Sequence, residues 1–236
     1  FFQEFSLISP FPERLSDNLR VSQSPVIRSA VFLCVRVLLL RLRPHSLIGV
    51  WPIMVTELVH ALSQLESQLQ SGEQEATGSS SDQWMQLYVA ACKLLETLCT
   101  LPAGYLSHFQ MFHWAFVSSV SADKTEIFKP FAERINDLLA KKYGELTPET
   151  MSNHTASLAG VKILTSFEEL RPFFYTLANL NKSVPESNVS CRNRQFCVFF
   201  NTLRDAHALS GSLTYKNAVA RLESALYVDF SEHLQF

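Results

Sequence analysis

The sequence predicts an all-α protein: an array of about eight or nine helices, stacked as helix pairs in a solenoid-like, HEAT- or armadillo-like arrangement. Three observations predict it. Apolar residues recur with a period near 3.6 almost throughout, and clean period-2 alternation is rare. Eighteen Phe against seven Gly give a chain that can bury enough apolar surface to offset its conformational entropy. Prolines fall where helices start or stop rather than inside the periodic runs. The organisation expected is one domain, 1–236, with loops near 71–82 and 179–190.

The first helix starts at Ser24-Pro25, because proline has no amide hydrogen to waste at the first helical position, and it runs to about Arg43 before Pro44. Ile27, Val31, Cys34, Val35, Leu38 and Leu42 form one face, yet Leu33, Val37 and Leu40 lie elsewhere, so a buried helix is expected. The stretch from Pro44 to Pro52 reads as a tight corner with Gly49 at its bend. Beyond it, Trp51, Val55, Leu58, Leu62, Leu65 and Leu69 are spaced 4, 3, 4, 3, 4 along a helix to about Gln70. That seam suits core packing, or self-association as a homodimer.

The apolar-free run 71–82 separates this helix from a stripe of Trp84, Leu87, Tyr88, Ala91, Leu94, Leu95 and Leu98, and the two helices should pack antiparallel. Residues 105–117 read as one aromatic-rich helix. Pro130 opens the next, which closes on Lys141 and Lys142 with Gly144 as its stop. Thr147-Pro148 and Ser166 with Glu169 are further start signals. Helices near 191–208 and 214–228 complete the chain, the last with Tyr215, Val219, Leu222 and Leu226 on one face.

Net charge is −2, but residues 14–43 carry six Arg and one Asp while 44–100 carry six acids and one Lys. The simple reading is that the two segments pair their charges. Arg28, Arg36 and Arg43 fall within an arc of about 80° and, with Arg41, form a candidate site for phosphate or carboxylate groups, on lipid or on an acidic partner. The same arginines interrupt any apolar window long enough to span a membrane.

Chemistry is scarce. No two Gly lie closer than six residues apart, which excludes a phosphate-cradling Gly-rich loop and a nucleophile elbow. His108 and His113, five apart, do not share a helical face, so no metal site is expected. Asp205, His207 and Ser210 read as a helix end, and Glu168-Glu169 as a first helical turn. The five Cys read as core thiols of a reducing compartment, and the glycosylation-type triplets at Asn153, Asn181 and Asn188 as idle. A pI near 6.4 without a basic aromatic stripe excludes nucleic-acid binding. Neither enzymatic activity nor a cofactor is expected. A lipid pocket lined by Phe109, Phe112 and Phe116 is a minor alternative. The opening at Phe1, without an initiator Met, reads as a piece of a longer chain.

The run RLRPHSLIGVWPIMVTELVHAL, followed by ACKLLETLCTLPAGYLSHFQMFHWAFV, resembles the C-terminal region of the Dopey family across residues 24 to 120. There an arginine-bearing helix, a corner, Trp-Pro and a T-E-L helix precede a K-L-L helix and an aromatic helix. The resemblance implies a scaffold or adaptor in Golgi and endosome traffic, cytoplasmic and peripheral on trans-Golgi network and endosome membranes. The implied partners are a Sec7-related HEAT-repeat protein, a P4-type lipid flippase, kinesin light chain and phosphatidylinositol 4-phosphate membrane.

Overall fold

The computed structural model describes residues 25–42, 44–71, 79–101, 106–118, 128–146, 164–179 and 212–233, with residues 17, 22, 24, 156–158 and 161 beside them. Among these residues there are eight α-helices and no strand: α1 Pro25–Arg41, α2 Trp51–Ser71, α3 Ser79–Thr100, α4 Ser107–Gln110, α5 His113–Phe116, α6 Phe131–Tyr143, α7 Arg171–Ala178 and α8 Ser212–His233. Short 3-10 turns at Pro44–Leu47 and Phe167–Leu170 precede α2 and α7.

Helix α1 begins as its sequence dictates, with Ser24 extended and Pro25 in the first turn. It ends at Arg41, two residues earlier than expected, because Leu42 is already extended ahead of Pro44. The corner then turns through 3-10 geometry, closed by Val50 N–H donating to the Leu47 carbonyl at 3.0 Å. Gly49 is not what permits it: its φ is not positive, and a Cβ there would meet nothing within 4 Å. Helix α3 starts at Ser79, so Asp82 lies in its first turn rather than ahead of it.

Residues 105–117 do not form one helix. Two four-residue helices take its place, broken at Met111-Phe112. Phe112 N–H reaches back only to the Phe109 carbonyl (2.8 Å) and Ala115 N–H only to Phe112 (3.0 Å). The Met111 carbonyl, which Ala115 would otherwise bond, instead accepts from the Trp114 indole at 2.9 Å.

Helix α6 keeps its expected start at Pro130, and Gly144 ends it with φ +93°, ψ 163°. That conformation is essentially closed to residues with a Cβ. Gly144→Ala should therefore cost about 1–3 kcal/mol although the space around it is open. Equilibrium denaturation measures it, and a neutral substitution would show that the turn readjusts freely. Before α7, Ser166 and Glu169 form a complete capping box, as their spacing predicts.

In space α1 packs mainly on α3 rather than on α2, its neighbour across the corner. Helix α3 also contacts α2, α2 contacts α6, α6 contacts α7, and α8 lies against α1. One continuous core joins these layers. The expected loop near 179–190 apart from Asn179, the helix near 191–208, Thr147-Pro148, Asp205, His207, Ser210, the three Asn triplets, Cys191 and Cys197 lie outside the described residues. No described helix is long and apolar enough to cross a membrane.

Candidate functional site

Helix α3 was expected to be amphipathic, yet every residue from Ala91 to Thr100 is buried, including Lys93, Glu96 and Thr97. The helix is covered by α1 and α2 on different sides, so its polar residues must find partners inside. They do so in one charge cluster.

Arg36 of α1 is 3% exposed. Its Nη1 donates to Asp229 Oδ2 of α8 at 2.6 Å, and its Nε donates to Thr97 Oγ1 at 3.2 Å. Lys93 Nζ donates to the other Asp229 oxygen. Thr97, one turn beyond Lys93, donates its hydroxyl to the Lys93 carbonyl at 2.9 Å. Two cations thus clasp one carboxylate with both oxygens used, the arrangement that repays desolvation best.

Beside them Glu96 accepts from the Ser157 hydroxyl and, at 3.0 Å, from the Leu158 N–H. Burial pushes its carboxyl above the ordinary carboxylate range, against the opposing pull of those two hydrogen bonds and of Arg36 and Lys93.

The second constellation is aromatic. The rings of Trp51, Phe109, Phe116 and Phe131 stack in sequence at centroid distances of 6.2, 5.9 and 6.2 Å, tying α2, α4, α5 and α6 together. The Arg134 guanidinium caps the column, 4.3 Å from the Phe131 centroid, and its Nε and Nη2 each reach a Glu66 carboxylate oxygen at 2.9 Å. Phe109 and Phe116 are fully buried in the continuous core and Phe112 is half-buried against it. Outside the column, Trp114 and Phe128 meet edge to face at 5.1 Å, both exposed beside Met111.

The arginines read from the sequence as one outward face are divided. Arg28 is buried, with Nη2 2.8 Å from Glu57 Oε2 on α2, and Arg36 is held as described. Arg41 alone of the three described is exposed, at 67%, and pairs with Glu223 of α8 at 3.1 Å. Arg43 lies outside the described residues. The physical reason is that α1 is covered by α3 and α8, and a guanidinium with a carboxylate opposite it costs less inside than an unpaired one. The +5 segment does pair with the −5 segment through Arg28 and Glu57, but Arg36 and Arg41 turn to α8.

The seam residues Trp51, Val55, Leu58, Leu62, Leu65 and Leu69 are all buried within the single chain against α3 and α6. They are therefore not an open surface for self-association. His113 packs its ring edge-on to Phe109 at 5.8 Å, and no metal-binding cluster occurs among the described residues. Burial pushes the thiol of Cys99 up to about 12, Cys92 further in the same direction, and Cys34 upward too. These thiols are protonated at neutral pH and are poor nucleophiles.

Asp229 was missed, although its signal was present. The row Tyr215, Val219, Leu222, Leu226 continues by the same 4, 3 alternation to Asp229, an acid in an apolar seam. Such a position calls for a buried cation opposite.

A family model described as DOP1 C-terminal matches residues 4–181. The chain belongs to the DOP1 family. The resemblance drawn from residues 24 to 120 thus holds over a longer stretch. Protein pad-1 of Caenorhabditis elegans is 90% identical over 227 residues, which cover 95% of this chain and 9% of that protein. Protein DOP1B of Xenopus laevis is 34% identical over 205 residues, 74% of the chain and 9% of the relative. Protein DOP1 homolog of Drosophila melanogaster is 31% identical over 223 residues, 75% of the chain and 8% of the relative. The chain thus spans about a tenth of the length of the curated relatives it matches. No solved structure matches.

Proposed function

We propose that this chain is a non-enzymatic scaffold or adaptor domain of a protein that works in Golgi and endosome membrane traffic, held peripherally on the cytoplasmic side of those membranes. The observation that carries the reading is membership of the DOP1 family by an all-helical unit. The chemistry supports it: the ion pairs of Arg28, Arg36, Lys93 and Asp229 and the stacked aromatic rings link one helix to another. Candidate partners are a Sec7-related HEAT-repeat protein, a P4-type lipid flippase and kinesin light chain. Docking of protein rather than of phosphoinositide headgroups is favoured, because Arg28 and Arg36 are committed to internal carboxylates.

Flotation with liposomes, with and without phosphatidylinositol 4-phosphate over a salt series, tests this. The expected result is no lipid-dependent flotation. Binding that requires the phosphoinositide and fades as salt screens it would make the Arg41 face a membrane contact instead. Loss of a partner from the full-length protein when residues 1–236 are deleted would support the scaffold role, and retention of every partner would sink it.

A further inference from the structure

Met111, Trp114 and Phe128 form an apolar tip beside the break between α4 and α5, and we infer that this tip is a membrane contact that enters the acyl region of a loosely packed bilayer without needing an anionic headgroup. The inference rests on the peripheral-membrane reading and names the residues that touch the lipid.

Single exposed apolar residues are ordinary on a protein surface, whereas large ones gathered within reach of each other mark a contact. Met111 is 61% exposed, Trp114 55% and Phe128 43%. Two interactions gather them: the Trp114 and Phe128 rings meet edge to face at 5.1 Å, and the Trp114 indole lies on the Met111 carbonyl.

The polar groups at the tip select lipid over protein. An exposed Trp at a protein interface ordinarily keeps its N–H for the partner. Here that N–H is spent, at 2.9 Å, on the Met111 carbonyl. The break closes internally as well, with Phe112 N–H donating to the Phe109 carbonyl and Ala115 N–H to that of Phe112. A segment that enters hydrocarbon must carry its donors and acceptors already paired, because no water is there to take them.

The charges beside the tip are matched among themselves. Lys129, next to Phe128, pairs with Asp137 at 3.2 Å, and Arg134, 5.7 Å from the Phe128 centroid, is held by Glu66. The complementary occupant is therefore apolar and without net charge, which describes a zwitterionic bilayer and not an acidic or basic helix. Trp and Phe with a Lys at the rim are the residue types that settle at a membrane interface. Three side chains bind weakly and reversibly, so the tip adds to other contacts rather than replacing them.

Flotation of the protein with vesicles of unsaturated phosphatidylcholine alone tests this. Binding is expected at the same level in about 0.05 M and about 0.5 M salt, because no exposed charge carries it. Phosphatidylinositol 4-phosphate should add nothing. Met111→Asp changes an exposed side chain outside the core and should lower the partition about tenfold or more, and Phe128→Asp should do the same. Near-UV circular dichroism checks that both variants are folded. Phosphatidylcholine brominated in its acyl chains should quench tryptophan fluorescence, and Trp114→Phe should remove the quenching, since Trp51 is buried.

Failure to bind these vesicles overturns the membrane tip, as does binding that survives Met111→Asp and Phe128→Asp together. Binding that appears only with phosphatidylinositol 4-phosphate and fades with salt assigns the membrane contact to a basic surface instead. If phosphatidylcholine binding is absent and Met111→Asp removes a protein partner from the full-length protein, the tip is a protein-docking site and the lipid assignment falls. Deletion of residues 1–236 tests the scaffold role without vesicles, so the two readings fail separately.

Discussion

Phe116→Ala is expected to destabilise the protein by about 3–5 kcal/mol, a large share of the 5–15 kcal/mol typical of folded chains. Phe116 is fully buried and is the third ring of the column that begins at Trp51. Truncation leaves a void flanked by Phe109 and Phe131, rings carried by separate helices that cannot both close on it without moving α4 or α6. Phe116→Leu keeps most of the volume and should cost clearly less, about 1–2 kcal/mol. The double variant Phe109→Ala with Phe116→Ala should lose less than the two singles added together, since both remove the same stacking contact. Urea denaturation with an unchanged slope gives each value. A loss below about 1 kcal/mol for Phe116→Ala would mean that the neighbouring rings repack freely and that the column is not what joins α2 to α6.

The helices were legible because each carries local punctuation: Ser24-Pro25, Pro130, Gly144 and the Ser166–Glu169 box all sit where the structure starts or stops a helix. Residues 105–117 misled because their composition favours a helix throughout, and at the break Trp114 turns back to the Met111 carbonyl, a local side-chain choice invisible to periodicity. The helix faces were less legible than the helices. In α1, which is apolar nearly all round, a 3.6-residue period cannot say which arc goes inward. The arc carrying Arg28, Phe32, Val35, Arg36 and Leu39 is buried while Val26 and Ile27 stay exposed. Hydrophobicity alone ranks those faces wrongly, because the arginines are brought inside by carboxylates remote in sequence: Glu57, 29 residues on, and Asp229, 193 residues on. The same argument explains α3. Lys93 and Glu96 mark a solvent face in an isolated helix, and only packing on two sides turns that face into core.

That packing gives Glu96 a measurable pH signature. Its folded-state carboxyl titrates above the ordinary value of 4.5, burial being the largest cause, with the Ser157 and Leu158 hydrogen bonds and the Arg36 and Lys93 charges opposing it. A raised carboxylate binds its proton more tightly folded than unfolded. The stability it contributes is therefore full below pH 4.5 and is lost as pH rises through the folded-state value. Glu96→Gln keeps a neutral acceptor and cannot titrate. Its stability relative to the wild type should accordingly rise from pH 4.5 upward, by up to about 1 kcal/mol per pH unit inside the window, and then level off. The comparison isolates Glu96 from the other carboxylates, which both proteins share. Denaturation midpoints of the pair between pH 4 and 8 decide it. A difference that falls with pH would show that Arg36 and Lys93 outweigh burial and hold Glu96 ionised, and the cluster would then set two carboxylates against two cations rather than one carboxylate against two cations beside a protonated acid.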